Sequence, residues 1–330
     1  MKYNTTYTPI TSLKDTVKKT EYVIREIENF YKGKYNITKI IAPAFLGENS
    51  ELLISINEIT RPITFDVTDE YKIGQMILSY TNWMRMMASK LSLNNNEGIY
   101  SETTSIWRDL EINPISSVIK NHISFQIVID KKRDIKKIVK KETDILYSLI
   151  SDFEKEFSKE FKFKKIFPES PTYVTSQMLA NEFPNVDFKR RENDMADELN
   201  GYILSNPGDK LFSGHIHSVI PIELYATKNF NQILLKDFVN SSVLKVASVS
   251  QLATGQLLAD QLSLSNKSNL KELNFYSDEI KRPYNIIEVK IDIGRLMMSL
   301  LKKGHISETQ PGNISDETKR ISARYKVEEY

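Results

Sequence analysis

The side chain best placed to do chemistry in this 330-residue sequence is Arg295. It follows Val289, Ile291 and Ile293, which alternate with Lys290 and Asp292 as a strand does. It precedes Leu296, Met297, Met298, Leu300 and Leu301, which are spaced as a buried helix. A guanidinium at such a hand-over is fixed by the strand and pinned by the helix, and its planar fork fits phosphate oxygens. His215 and His217 lie two apart, a spacing that shares a strand face, but no acid or third imidazole follows at ligand spacing, so no metal site is expected. Zero cysteines exclude disulfides, thiol nucleophiles and cysteine-held metals.

These residues need a scaffold, and the composition supplies one: 40% hydrophobic and 27% charged is ordinary for a globular chain. No apolar run reaches ~18 residues and the first residues lack a signal-peptide core, so no membrane partner and a cytoplasmic location are expected. A net charge of +2, with acids and bases interspersed, does not point to nucleic acid. The Lys131–Lys137 run reads as a solvated helix start. With no Walker or Rossmann fingerprint, a bound nucleotide would have to be held by arginines.

Along the chain, residues 12–31 form an amphipathic stripe of Leu13, Val17, Val23, Ile24, Ile27, Phe30 and Tyr31 behind Ser12. A strand at 36–41 ends at Pro43. Strands are expected at 52–56 and 63–67, a Met-rich helix at 75–91, a strand pair from Glu97 to Ile129, a long helix at 135–161, a strand beginning at Phe167 and a short helix at 176–183. Trp83, Trp107 and Met84 read as core filler. The whole is an α+β chain, mainly an antiparallel sheet flanked by helices. We expect one domain over 1–312 and, past His305, a polar, loosely held chain ending in a tail at 313–330.

Several collinear blocks resemble the asparagine synthetase A (aspartate–ammonia ligase) family, which has the class II aminoacyl-tRNA-synthetase-like fold. They are Ala42-Pro43; Trp83 with Arg85; Glu97-Gly98-Ile99-Tyr100; Pro114 followed by Ser117-Val118; Phe167-Pro168-Glu169 with Val174-Thr175-Ser176-Gln177; Gly208-Asp209-Lys210-Leu211 before Gly214-His215-Ile216-His217; and Gly294-Arg295. The resemblance implies ATP-dependent amidation of aspartate with ammonia through an aspartyl adenylate, with ATP and Mg as cofactors. It also implies a homodimer built on the first helix and strand. It makes Arg108 and Arg295 the motif 2 and motif 3 arginines, and Glu51, His122 and Ser248 substrate- or nucleotide-binding residues.

The sequence also departs from the family pattern. Met84 stands where the family has a lysine, His122 and Ser124 where it has Gln and Asp, and Lys245 where it has a magnesium-binding acid, while side chains replace the glycines approaching Arg295. Arg108 sits one residue from its expected position. Two readings therefore stand: a divergent ligase, or a catalytically degenerate paralogue that keeps the dimeric scaffold for binding or assembly.

Overall fold

The computed structural model describes residues 7–50, 52–53, 61–68, 72–215, 217, 225–254 and 284–310. Its centre is an eight-stranded sheet in the order β1 (Asn36–Lys39), β5 (Glu97–Ile106), β6 (Ile119–Asp130), β11 (Tyr284–Asp292), β10 (Ser242–Leu252), β9 (Tyr225–Asp237), β8 (Gly201–Ser205) and β7 (Tyr173–Thr175). The edge strands β1 and β7 pair parallel to their neighbours, and all other pairings are antiparallel. A small antiparallel sheet of β2 (Phe45–Gly47), β4 (Lys72–Met76) and β3 (Thr64–Val67) stands beside it. No helix among the described residues is long and apolar enough to cross a membrane.

Period-2 patterning gives the central strands two different faces. In β6, Ile123, Phe125, Ile127 and Ile129 are buried in the main core, and in β11 Ile287, Val289 and Ile291 join them. This face is covered by α1 (Leu13–Lys34), α3 (Ile135–Glu160) and α6 (Ile293–Leu300). Ser12 caps α1 by accepting the Asp15 N–H at 3.1 Å. The helix buries Thr16, Thr20, Val23, Ile27 and Tyr31, and Val17 of the expected stripe is 40% exposed. Tyr31 stacks on Phe125, which stacks in turn on Tyr100, at centroid distances of 4.5 and 5.3 Å. On α3, buried Glu154 accepts from the N–H groups of Ile166 and Phe167 and from Lys302 Nζ at 2.7 Å, tying three segments together.

Among the described residues, the opposite face is covered at its ends. At one end α2 (Thr81–Lys90) sets Trp83, Met84 and Ala88 against Ile99. At the other, α4 (Ser176–Glu182) and α5 (Phe188–Leu199) bury Leu179, Met195 and Ala196 against Tyr202, Leu204 and Leu234. Between them lies a cavity lined by the described residues.

Three expectations are corrected. The helix expected from Gln75 begins at Thr81, because Gln75 and Met76 are held extended by pairing with Leu46 and Phe45. The strand expected at Phe167 begins at Tyr173. Residues 63–67 form a strand that pairs with β4, and most of the strand expected at 52–56 lies outside the described residues. The chain past His305 is well held through Gln310: Ile306–Glu308 is a 3-10 turn with a reciprocal capping box between His305 and Glu308, and Glu308, Thr309 and Gln310 are buried. Residues 313–330 lie outside the described residues.

Candidate active site

The stretch of sheet between these helices carries the polar positions of four strands. In β6 these are Lys120, His122, Ser124 and Gln126, and in β11 Glu288, Lys290 and Asp292, in register as Asp292 with His122, Lys290 with Ser124 and Glu288 with Gln126. Ser248 of β10 lies opposite Lys290, and Gln232 of β9 opposite Ser248. One row closes on itself: buried Glu288 accepts from Gln126 Nε2 at 2.9 Å and from the Thr81 hydroxyl at 3.1 Å, fastening α2 to the floor. The remaining rows line a cavity of about 300 Å³ with Lys120, His122, Gln232, Lys245, Ser248, Lys290, Asp292 and Arg295, walled by Leu78, Trp107, Leu110 and Phe230.

Arg295 enters this cavity from the β11–α6 junction. Asp292 caps α6 by accepting the Arg295 N–H at 3.0 Å, and its other carboxylate oxygen lies 3.7 Å from Arg295 Nε. Nε also donates to the Ile115 carbonyl at 3.3 Å. Burial pushes the Asp292 carboxyl up, but Arg295, Lys120 and His122 outweigh it and hold the group below its ordinary value. Lys120 goes the other way: burial, and then the Arg295 charge, push its amine down to about 7. Gly294 makes room for the Gln310 side chain, whose Oε1 would lie 2.8 Å from a Cβ there.

Lys245 reaches the cavity because of an irregularity. The β9–β10 register shifts between Lys245 and Ala247, a bulge that lets Lys245 share a face with Ser248 although three residues separate them. Its Nζ donates to buried Glu192 of α5 at 2.9 Å, and His217 Nε2 lies 3.5 Å from the same oxygen. Burial raises the Glu192 carboxyl, but His217 and Lys245 bring it below its usual value.

Three sequence candidates, Arg295, His122 and Ser248, thus come together. Arg108 does not join them: its side chain is 43% exposed, its Nη1 is 3.5 Å from the Pro62 carbonyl, and the cavity wall is formed by Trp107 instead. Trp107, read from sequence as core, donates its indole N–H to Ser105 at 3.2 Å. Glu51 lies outside the described residues. His217 is buried against Phe188 and Glu192 while His215 is exposed, so they do not form a shared metal face. Lys120 and Lys290 were missed, although four polar residues alternating with isoleucine and phenylalanine in a central strand were a visible signal.

The donor set does not suit a magnesium ion. Asp292 is the one carboxylate on the described wall and is already committed to Arg295, and no group of three potential metal ligands occurs among the described residues. A protonated, unscreened lysine would repel a dication ~6 Å away by roughly 5 kcal/mol at an effective dielectric of ~20.

The architecture is that of the class II synthetase-like fold. Asparaginyl-tRNA synthetase from Pyrococcus horikoshii, complexed with asparaginyl-adenylate, superposes with a TM-score of 0.65 over 92% of this chain and 70% of its own, at 12% identity. The Entamoeba histolytica asparaginyl-tRNA synthetase gives 0.64 over 90% of this chain and 67% of its own, at 9% identity. Within that fold the chain belongs to the aspartate–ammonia ligase family, whose profile matches residues 14–325. An aspartate–ammonia ligase of Clostridium perfringens is 29% identical over 314 residues, 92% of this chain and 91% of the relative, and one of Bacillus cytotoxicus is 24% identical over 321 residues, 94% and 97%.

Proposed function

We propose that the chain is a divergent aspartate–ammonia ligase that uses ATP to activate aspartate in this cavity. The observation that carries the reading is Arg295, tied by Asp292 at the floor of an open cavity, at the position the family resemblance gives to its motif 3 arginine. The relatives named aspartate–ammonia ligases and the fold neighbour that holds an acyl adenylate support it.

In this reading a β-carboxylate oxygen of aspartate attacks the α-phosphorus of ATP, forming the acyl–phosphate bond as pyrophosphate leaves with the bridging electrons. Ammonia then attacks the acyl carbon, AMP leaves, and the new amide sheds a proton. Charge builds on phosphate oxygens in both steps, and fixed cations in a partly desolvated cavity stabilise it most where no rearrangement is needed. Arg295 is such a group because Asp292 and the Ile115 carbonyl hold it. Trp107 and Phe230 offer apolar surfaces against which a purine can pack. The test is incubation with ATP, aspartate and ammonium. Asparagine and pyrophosphate formed together support the reading, and the absence of both overturns it.

A second reading, a paralogue that binds the nucleotide without turnover, is favoured by Met84. It is fully buried between Trp83 and Ile99, so the helix that should offer a lysine offers packing. ATP binding without aspartate-dependent pyrophosphate release distinguishes it. We further propose the homodimer that the resemblance implies, with Ile41, 93% exposed, and Val17 near its interface. Sedimentation at a monomer mass excludes it.

A further inference from the structure

The cavity wall places its positive charge on three strands and a helix, and among the described residues the acids beside it are already engaged. Glu288 faces Gln126 and Thr81, Glu192 is bonded behind Lys245, and Asp292 is bonded to Arg295. A phosphate chain entering here meets side-chain cations where an acid-lined site would present a metal ion. We propose that this cavity binds its polyphosphate ligand free of any divalent cation, with Lys120, Lys245, Lys290 and Arg295 supplying the neutralising charge. The inference rests on the nucleotide reading above and specifies the ionic form of the ligand.

Two features give it geometric support. The bulge at Lys245 brings that residue to the cavity wall, where its amine is held by Glu192. Lys120 lies in register with Ser105, two residues from Trp107, so the β5–β6 hairpin carries its cation on the second strand while the first carries an indole. Lys120 is also held near neutrality by burial and by Arg295, so an arriving anion returns a proton to it.

The experiment is equilibrium dialysis of the full-length protein against labelled ATP at pH 8, once in EDTA and once in excess magnesium chloride. The expected result is binding in EDTA at least as tight as with magnesium, because free ATP carries more negative charge than its magnesium complex. Lys120→Met should weaken the EDTA result about ten-fold with its circular dichroism spectrum unchanged, and calorimetry in buffers of different ionisation enthalpy should show proton uptake in the parent and none in the variant. A loss of ten-fold or more in EDTA overturns the inference while leaving the nucleotide reading intact. No binding in either medium overturns both. A Lys120→Met protein that binds as the parent does, with the same proton uptake, removes Lys120 from the site and with it this account of the charge.

Discussion

Trp107 and Arg108 are adjacent in sequence, yet only Trp107 reaches the cavity wall, while Arg108 lies outside beside Pro62 and Asp109. One step along the chain just past β5 therefore decides whether an indole or a guanidinium lines the cavity, and among the described residues Arg295 is the arginine on its wall.

Removing Arg295 should accordingly abolish function without unfolding the protein. Its side chain is 23% exposed and its partners are a carbonyl and one carboxylate. Arg295→Met is expected to lower pyrophosphate release by about 10²–10³-fold, the usual effect of losing one preorganised donor at a charged transition state. Arg295→Lys should recover part of it, and melting temperatures should confirm that both variants fold.

Asp292 combines a helix cap with a counter-charge, and two substitutions separate them. Asp292→Asn keeps the capping oxygen, whereas Asp292→Ala loses it and should cost about 1 kcal/mol more. Because the carboxyl titrates below its ordinary value, its contribution is complete above the unfolded value of about 4 and is lost as pH falls through the lower folded value. The parent should therefore lose stability in acid more steeply than Asp292→Asn, as urea titrations across that range would show.

Lys120 has the opposite sign. Its folded value, about 7, lies below the ordinary 10.5, so unfolding takes up a proton between these values and stability rises with pH across that window. At pH 6 both states are charged and the buried amine is at its most costly. Lys120→Met should then be more stable than the parent by roughly 1–3 kcal/mol, and the difference should shrink as pH rises toward 10.

Glu154 gives a prediction away from the cavity. It is fully buried, and Lys302, 12% exposed, depends on it for charge compensation. Glu154→Ala should cost about 3–5 kcal/mol, since it leaves a buried cation unpaired. Glu154→Ala with Lys302→Met should recover much of that loss in chemical denaturation.

The fold was legible wherever one face of an element is apolar. Ser12 and the stripe behind it located α1, and the alternation around Val289 and Ile291 located β11 and its hand-over to α6. Gln75 misled because its spacing fits a helix and only pairing with Leu46 makes it extended. Of the site, Arg295, His122 and Ser248 were readable, and Arg108 was placed in a motif whose spacing it misses by one. Lys245 could not be assigned to the cavity face from parity, because a bulge reverses parity and depends on the partner strand. The packing of Ser307 to Gln310 was hidden by polar residues whose burial is satisfied by distant groups, such as the Ile119 carbonyl that accepts from Gln310.

Tyr7 lies over Gly304, where even a Cβ would come within 2.6 Å of its ring, and its hydroxyl donates to Glu308, 301 positions away. A residue ahead of α1 is thus fastened to the turn that follows α6. During synthesis this latch cannot engage until β11 and α6 have left the ribosome. The contact therefore joins segments about 300 positions apart and can form only after both have been made.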